Sequence, residues 1–369
     1  MIPLIDLQAQ YRSVGSEIET AVTQVLRSGQ YALGPEVEAF ENEFAEYCGT
    51  KFGVGVNSGT SALYLALRAI GIGPGDEVVT VPFTFTSTVS EVIKTGASVR
   101  FVDISPDSFT LNPSDLARTI TDRTKAIIPV HLFGQPANMD PILDIAQAHG
   151  LSVIEDAAQA HGARYKGRPV GSLGTLSCFS FYPSKNLSAC GEGGIVCTDD
   201  HELAEKIKKL RNWGSIEYGN YTAMGGNYRL DAIQAAVLRV KLRHLDDWNK
   251  SRHIVSEQYD QLLGNLALTT PPTMPYSTHA HHIYAIRVAT RDAILKTLNR
   301  TNIGASVHYR NPIHLLPSYR ELGYSRGQMP ESERAAEEVI SLPIFPELST
   351  EAIVTVAETI ADALVTNKT

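Results

Sequence analysis

The chain has 369 residues, of which 43% are hydrophobic and 20% are charged, a composition typical of a globular protein large enough for two domains. Its formal net charge of -8 argues against nucleic acids and anionic membranes as partners. No apolar run is long enough for a membrane span, and the start, Met1–Leu7, lacks the basic region of a signal peptide. Four cysteines without a C-x-x-C pair favour a cytoplasmic protein with reduced thiols.

Strands and helices are predicted to alternate through the first half of the chain. Apolar strands are expected at residues 51–56, 77–81, 99–102, 126–130, 151–156 and 175–181, with amphipathic or Ala-rich helices between most of them. Such repetition with near-continuous apolar strands predicts an α/β fold with a mostly parallel, doubly wound sheet. Ligands of such sheets bind beyond the carboxyl ends of the strands.

The pattern changes near residue 265. A long helix is predicted from residue 227 to about 248, and another from 251 to 263. Prolines then precede a strand at 282–288, a helix at 291–301, a strand at 305–309 and a last helix at 351–365. The sequence therefore predicts a large domain, residues 1–248, and a small α+β domain, residues 249–369, and the first residues of the chain are candidates to pack on the small domain.

Lys185 follows a strand-like run that stops at Tyr182-Pro183. Proline ends regular pairing, so the lysine is expected on a defined loop at the end of a buried strand. A desolvated amine in such a place can act as a nucleophile and form a Schiff base. An ordinary solvated loop lysine is the alternative. Ser180, five residues earlier, could donate its hydroxyl to a phosphate or simply to backbone.

Asp156 ends the predicted strand at residues 151–156. A carboxylate there could hold the proton of a pyridine nitrogen, as pyridoxal-phosphate sites require, or it could cap the turn that follows. Gln159 lies three residues on and could reach a neighbouring ring substituent.

Two further turns have the composition of ligand loops. Gly59 and Thr60 lie between a strand and a helix, where free backbone N–H groups can seat a phosphate, although a plain helix cap is equally compatible. Phe85 lies just beyond the strand at 77–81 and is either a cover for a cofactor ring or a core residue.

Two other patterns in the sequence do not predict a site, and a third does. The histidines between His279 and His282 have no accompanying cysteines or acids, so no metal site is predicted. The glycines between Gly53 and Gly59 have the wrong spacing for a dinucleotide fingerprint, which argues against a nicotinamide oxidoreductase. The polar, proline-bounded stretch from residue 308 to 314 is a more promising binding loop.

Four ordered motifs carry a family resemblance: Glu155-Asp-Ala-Ala-Gln-Ala-His-Gly162, Ser180-Phe-Tyr-Pro-Ser-Lys185-Asn, Gly191-Glu-Gly-Gly194 and Asn227-Tyr-Arg-Leu-Asp-Ala-Ile-Gln234. With them, the chain resembles the DegT/DnrJ/EryC1/StrS family of nucleotide-sugar aminotransferases over essentially its whole length. The resemblance implies the aspartate aminotransferase type I fold, in which a large domain has a mostly parallel seven-stranded sheet and a small α+β domain follows at the C-terminus. It also implies the cofactor pyridoxal 5'-phosphate, with pyridoxamine 5'-phosphate as its intermediate form.

The resemblance also implies residue roles. Lys185 matches the Schiff-base lysine and proton carrier, Asp156 the partner of the pyridine nitrogen, and Gln159 the contact to the ring hydroxyl. Phe85 matches the ring-stacking aromatic, which is often Tyr or Trp in the family. The phosphate cradle corresponds to Gly59, Thr60 and Ser180.

A second group of roles concerns the substrate and a partner subunit. Asn227 corresponds to a residue that reaches the cofactor phosphate of the neighbouring subunit, which implies a homodimer with shared sites. The contacts to sugar and diphosphate correspond to Arg229, His308 and Tyr309.

The implied reaction is a ping-pong transamination from L-glutamate to a nucleotide-linked keto sugar. The loop at residues 308–319 and Gln159-Ala-His161 resemble members that aminate C3 of dTDP-3-keto-6-deoxyhexoses, and UDP-linked 3-keto or 4-keto sugars are the alternatives. Members that act as dehydratases carry His where this chain has Lys185. Non-catalytic regulators that bind the cofactor usually carry an added DNA-binding domain, for which the chain has no spare length.

Overall fold

The computed structural model describes residues 1–215, 217 and 219–366, and its centre is a seven-stranded sheet. The strands of the chain, in order, are β1 Phe52–Val56, β2 Glu77–Thr80, β3 Ser98–Phe101, β4 Thr124–Ile127, β5 Ser152–Asp156, β6 Arg164–Tyr165, β7 Arg168–Pro169, β8 Leu176–Ser180, β9 Gly194–Thr198, β10 Ser277–Thr278, β11 Tyr284–Arg287 and β12 Val339–Leu342.

The large sheet has the strand order β1-β9-β8-β5-β4-β2-β3. Strand β9 is antiparallel to both of its neighbours, and the remaining pairs are parallel. The predicted mostly parallel seven-stranded sheet is therefore confirmed. Because β5 and β8 are adjacent and parallel, Asp156 and Ser180 end at the same edge of the sheet.

Helices cover both faces of this sheet. The helices of the chain are α1 Leu7–Ser28, α2 Pro35–Cys48, α3 Gly59–Ala69, α4 Ser87–Lys94, α5 Pro113–Thr119, α6 Met139–His149, α7 His201–Arg211, α8 Ala232–Leu242, α9 Leu245–Leu263, α10 Arg291–Arg300, α11 Pro330–Glu338 and α12 Thr350–Thr366. Short 3-10 turns occur at Leu132–Gly134, Ile313–Leu315 and Pro317–Leu322.

Successive strand residues serve two separate cores. On β5, Val153 packs with residues of α2, α6 and α8, whereas Ile154 packs on the other face with residues of α3, α4 and α7. A parallel strand that is covered on both faces must be apolar at consecutive positions, which is the pattern visible in the sequence.

The end of the chain forms a second, two-stranded sheet in which β11 and β12 pair antiparallel. Helices α10 and α12 pack together beside it. The start of the chain joins this region, because Ile2 forms a parallel bridge with Ile303 and Gly304 N donates to Ile2 O at 2.7 Å. Across the described residues, no helix is both long and apolar enough to cross a membrane.

Two predicted elements differ from the structure. The helix expected from 227 to about 248 is wrong, because α8 ends at Leu242 and α9 begins at Leu245. The acidic pair Asp246-Asp247 occupies the first turn of α9, where it complements the helix dipole, and this was a readable signal for a new start. The strand expected at 305–309 is reduced to a single bridge between Ser306 and Ser341.

The boundary predicted between residues 248 and 249 falls inside helix α9. The division into a large domain, residues 1–248, and a small domain, residues 249–369, stays a prediction. Residues 367–369 of the latter lie outside the described part of the chain.

Candidate active site

A cavity of about 520 Å³ opens at the carboxyl ends of the parallel strands. Its wall includes every residue predicted for the site except Asn227 and Arg229, namely Gly59, Thr60, Phe85, Asp156, Gln159, Ser180, Lys185, His308 and Tyr309. These residues come from segments up to 250 positions apart, and the sheet order brings them together because β1, β2, β5 and β8 all end at this edge.

Lys185 lies on a short loop after β8. Its backbone N–H donates to the carbonyl of Tyr182 at 2.9 Å, and Ala189 N returns the chain to Phe181 O at 2.8 Å. The side chain is half-buried in the cavity wall. Burial lowers the pKa of Lys185 to about 8, and the negative charge of Asp156 opposes that shift. Much of its amine is therefore neutral, and nucleophilic, at mildly alkaline pH.

Asp156 ends β5 and is buried, with its carboxylate on the cavity wall. Its Oδ2 accepts a hydrogen bond from Thr88 Oγ1 at 2.8 Å, and its Oδ1 accepts from Ala158 N at 3.3 Å. Burial raises the pKa of Asp156, while these two donors and the charge of Lys185 lower it. The carboxylate retains acceptor capacity toward the cavity, since an ionised carboxylate has about four lone-pair sites.

Gln159 is held with its amide in one orientation. Its Oε1 accepts from Phe133 N at 2.7 Å, so its Nε2 is the group that donates to the Tyr309 hydroxyl oxygen at 3.0 Å. The ring of Tyr309 lies 6.2 Å from that of Phe85, centroid to centroid. Three side chains predicted separately thus form one connected wall of the cavity.

Phe85 is 54% exposed, which excludes the interpretation as a core residue. Its neighbour Phe83 is fully buried and packs in the core instead. The alternation of side chains in the turn after β2 therefore turns the ring of Phe85 toward the cavity.

The turn before α3 is both a helix cap and a place where backbone N–H groups are free to bind a ligand. Ser58 caps the helix, because its Oγ accepts from Ser61 N at 3.0 Å. Gly59 and Thr60 form the first turn after this cap and lie on the cavity wall. The backbone N–H groups of a first helical turn have no partner within the helix. A Cβ on Gly59 would lie 2.5 Å from the Cβ of Ser180, so only glycine lets the hydroxyl of Ser180 approach this helix end.

The cavity offers groups that fit a phosphate and groups that fit a pyridine ring. The backbone N–H groups at the start of α3 and the hydroxyls of Thr60 and Ser180 are suited to bind a phosphate. The ring is matched by a flat aromatic face at Phe85, a carboxylate at Asp156 and a fixed amide at Gln159. The residues present therefore fit pyridoxal phosphate.

His308 and Tyr309 line the outer wall. His308 Nδ1 and Ser341 Oγ lie 2.8 Å apart, so the small C-terminal sheet holds the imidazole. Burial raises the pKa of the Tyr309 hydroxyl well above its usual range, which keeps it a neutral donor and acceptor.

Asn227 and Arg229 lie outside the cavity of their own chain. The backbone carbonyl of Asn227 accepts from Asn57 Nδ2 at 3.4 Å, and its side chain is exposed. Arg229 Nη1 donates to Asn212 Oδ1 at 2.8 Å.

Several cavity residues were not found from the sequence. Thr88 approaches Asp156 from behind the wall, and the hydroxyl-rich run from Thr84 to Thr88 was the signal available for it. His282 begins the strand predicted at 282–288, and the structure places it on the cavity wall, with its Nδ1 3.1 Å from Asn186 Oδ1. The remaining wall residues are Ser58, Leu63, Thr84, Ser87, Val130, Ala158, Tyr182, Ser184, Glu192 and Ile283.

His279, His281 and His253 form a cluster of neighbouring imidazole rings. The rings of His279 and His281 lie 4.3 Å apart and nearly parallel, and His253 Nδ1 is 3.2 Å from His281 Nε2. Within the described residues, no group of three or more His, Cys, Asp or Glu side chains could hold a metal ion.

Fold and site together define a pyridoxal-phosphate-dependent aminotransferase of the aspartate aminotransferase type I fold. The sequence pattern of the DegT/DnrJ/EryC1/StrS aminotransferase family matches residues 12–361. The chain belongs to this family.

Individual relatives are similar along nearly their whole length. A pleiotropic regulatory protein of Geobacillus stearothermophilus is 45% identical over 365 residues, 98% of each chain. The dTDP-3-amino-3,4,6-trideoxy-alpha-D-glucose transaminase of Streptomyces venezuelae is 44% identical over 348 residues, 94% of this chain and 92% of that protein. The crystal structure of S. venezuelae DesV with a ketimine intermediate has a TM-score of 0.96 at 44% identity and 98% coverage of both chains.

The cofactor also appears among the solved relatives. A sugar aminotransferase of Streptococcus pneumoniae in its PLP form has a TM-score of 0.90 at 28% identity, covering 95% of this chain and 96% of that one.

Proposed function

We propose that this protein transfers the amino group of L-glutamate to a nucleotide-linked keto sugar, with pyridoxal phosphate as its cofactor. The observation that carries the proposal is one cavity in which Lys185, Asp156 and the start of α3 at Gly59 converge. When bound there, pyridoxal phosphate supplies a reactive aldehyde and an electron-withdrawing ring for amine exchange.

Lys185 is proposed to hold the cofactor and to move the proton. Its Nζ is desolvated and its pKa is lowered to about 8, so it can accept a proton and return it near physiological pH. Asp156 would place a negative charge against the ring nitrogen, and Gln159 would orient the ring through its fixed amide. Phe85 would cover one face of the ring.

The phosphate is assigned to the start of α3. The N–H groups of Gly59 and Thr60 and the hydroxyls of Thr60 and Ser180 are suited to bind it, because the helix dipole adds positive potential at this point.

The acceptor is proposed to be a dTDP-3-keto-6-deoxyhexose. The S. venezuelae relative named for a dTDP-3-amino sugar, 44% identical, supports this choice. His308 and Tyr309 offer ring and hydroxyl contacts for a sugar at the outer wall, where Ser341 holds the imidazole.

A second copy of the chain is proposed to complete the site. Among the described residues that line the cavity, Lys185 is the only lysine or arginine, and Glu192 adds negative charge. A dicarboxylate donor and a diphosphate acceptor both need cations. We therefore assign Asn227 and Arg229 to the cavity of the partner in a cytoplasmic homodimer.

Absorption spectroscopy tests cofactor and donor together. The purified protein should show a visible band that L-glutamate removes, and Lys185→Ala should abolish that response, while the exposed Lys166→Ala should keep it. No band after addition of pyridoxal phosphate to the wild type would refute the assignment. A band that ignores glutamate but responds to another amino acid would change only the donor.

A panel of nucleotide keto sugars tests the acceptor. We expect amine product from dTDP-linked 3-keto-6-deoxy sugars in preference to UDP-linked 3-keto and 4-keto sugars. Turnover on a 4-keto sugar alone would overturn the C3 assignment, and absence of turnover on every sugar would favour a regulatory role like that named for the Geobacillus relative.

Mixing inactive variants tests the shared site. Lys185→Ala and Arg229→Ala subunits, refolded together at equal amounts, should recover about a quarter of wild-type activity, since half the dimers are mixed and one of their two sites is intact. Recovery would fail if Arg229 served its own chain.

A further inference from the structure

Two threonine hydroxyls form a chain that ends on the carboxylate of Asp156. Thr88 Oγ1 lies 2.8 Å from Asp156 Oδ2, and Thr84 Oγ1 lies 3.1 Å from Thr88 Oγ1. Both threonines are buried, at 1% and 4% exposure for Thr88 and Thr84. Thr84 also touches the cavity, whereas Thr88 does not line it.

The direction of these hydrogen bonds follows from the chemistry of the groups. An ionised carboxylate only accepts, so the hydrogen of the Thr88 hydroxyl points at Asp156. The Thr88 oxygen is then free to accept from the Thr84 hydroxyl. The two side chains form a chain of donors that ends on one carboxylate oxygen, and such chains strengthen each member.

The surroundings of Asp156 determine how much its ionisation depends on this chain of donors. Burial favours the neutral acid, and the other donor to the carboxylate, Ala158 N, is long at 3.3 Å. The titratable groups that face Asp156 from neighbouring elements are Lys185, His131, Tyr309, Cys178 and the adjoining Glu155. Of these, Lys185 is the cation that favours the charged form, and it loses that charge above pH 8.

We propose that Thr88, ordered by Thr84, is a positioning residue that keeps Asp156 ionised and fixes the direction of its carboxylate in the cavity. The inference rests on the proposed function, in which Asp156 partners the ring nitrogen of the cofactor. Thr88 acts through Asp156 and touches neither substrate nor cofactor. Thr88 is a buried residue of α4, and the site needs its hydroxyl.

The first test measures Asp156 in the protein without cofactor. Infrared titration of carboxylates in protein labelled with ¹³C-aspartate, with Asp156→Asn as the reference, reports the protonation midpoint of this residue. Thr88→Val, which removes the hydroxyl and keeps the shape, should raise the midpoint by about one to two pH units. Thr84→Val should raise it less, and Thr88→Ser should leave it unchanged.

Thr80 provides the matched control. It is fully buried at the end of β2, four residues before Thr84, but its hydroxyl donates to the carbonyl of Ile128 at 2.8 Å. Thr80→Val should leave the Asp156 midpoint where it is. An unchanged midpoint in Thr88→Val, or an equal shift in Thr80→Val, would overturn the proposal. Should Thr88→Val not fold, the absence of any shift in Thr84→Val would overturn it as well.

The second test uses the loaded enzyme. The acid limb of the pH–rate profile should move upward in Thr88→Val by the same amount as the midpoint, with Thr88→Ser restoring it. The two tests separate the two proposals, because a wild type that binds no pyridoxal phosphate would refute the proposed function and leave the infrared shift intact.

Discussion

Two neighbouring carboxylates at the end of β5 have opposite surroundings. Glu155 faces the sealed side of the strand and is fully buried. Its Oε1 accepts from two backbone N–H groups at 2.8 Å each, and its Oε2 accepts from a third N–H and from the imidazole of His131, both at 3.0 Å. His131 Nδ1 accepts from Ala137 N, so the imidazole is neutral and its proton lies on Nε2.

Asp156 faces the cavity side, and within the described part of the chain two donors reach its carboxylate. The difference shows how one strand end produces both a structural and a functional acid. Glu155 has its acceptor capacity filled by the fold and fixes the turn at Gly171–Gly174. Asp156 keeps unused lone pairs in a buried wall, which is the condition for a carboxylate that binds a ligand.

The largest expected effect is on the cavity side. Asp156→Asn should lower kcat/KM for transamination by about 10³-fold, because the amide cannot hold the ring nitrogen protonated. Steady-state kinetics and circular dichroism of the purified variant would check this. Asp140→Asn, at an exposed ion pair with Lys166, is the control and should be fully active. Retention of more than about a tenth of wild-type activity by Asp156→Asn would contradict the assigned role.

Substitution of Glu155, on the sealed side of β5, should change the stability of the protein. Glu155→Gln should lower the free energy of unfolding by about 2–4 kcal/mol, because a glutamine NH₂ would face N–H donors that the carboxylate now accepts. Urea denaturation measures the change, and Glu205→Gln at an exposed pair with Lys208 should be neutral. Activity per folded molecule should be retained. If Glu155→Gln instead lost activity at full stability, the contrast between the two acids would disappear.

The pH dependence of cofactor uptake tests the electrostatic coupling between Asp156 and Lys185. Burial lowers the pKa of Lys185 to about 8, so its amine is protonated below that pH and neutral above it. The rate at which the apo-protein takes up pyridoxal phosphate should therefore rise about tenfold per pH unit below 8 and level off above it. Stopped-flow absorbance measures this rate.

The same experiment has an internal control. The charge of Asp156 raises the pKa of Lys185, so Asp156→Asn should move the midpoint to lower pH. Burial lowers the pKa of the nearby His161 to about 3, which places its titration far outside this window. A midpoint near that of a free lysine would mean that Lys185 is solvated in solution.

The smallest effect is expected at the aromatic wall. Phe85→Ala should weaken cofactor binding by about 3- to 10-fold through loss of ring contact, and Phe85→Tyr should preserve it. Equilibrium titration of the apo-protein measures the dissociation constant. Ile93, which is also partly exposed, gives a control in Ile93→Ala that should bind normally. Equal weakening in both variants would show that the effect is general.

Much of the site could be predicted from local sequence. The end of β8 just before Tyr182-Pro183, the end of β5 at Asp156 and the start of α3 at Gly59 each have a local signature, and the structure places all three around one cavity. The alternation of β-α units predicts this meeting, since parallel strands end at a common edge.

Other features could not be read from the sequence because they depend on distant partners. Thr88 meets Asp156 across 68 positions, and Gln159 meets Tyr309 across 150. Local propensity also left two alternatives for Phe85, which differ only in whether neighbouring residues cover the ring.

The sequence by itself determined the alternation of strands and helices in the first half of the chain and the family to which the motifs belong, because these depend on periodicity and turn chemistry within a few residues. Tertiary structure alone decided that Glu155 is sealed and Asp156 is available, and that Asn227 and Arg229 lie away from the cavity of their own chain. The physical reason is that acceptor capacity, burial and pKa are set by groups that the fold brings in from elsewhere.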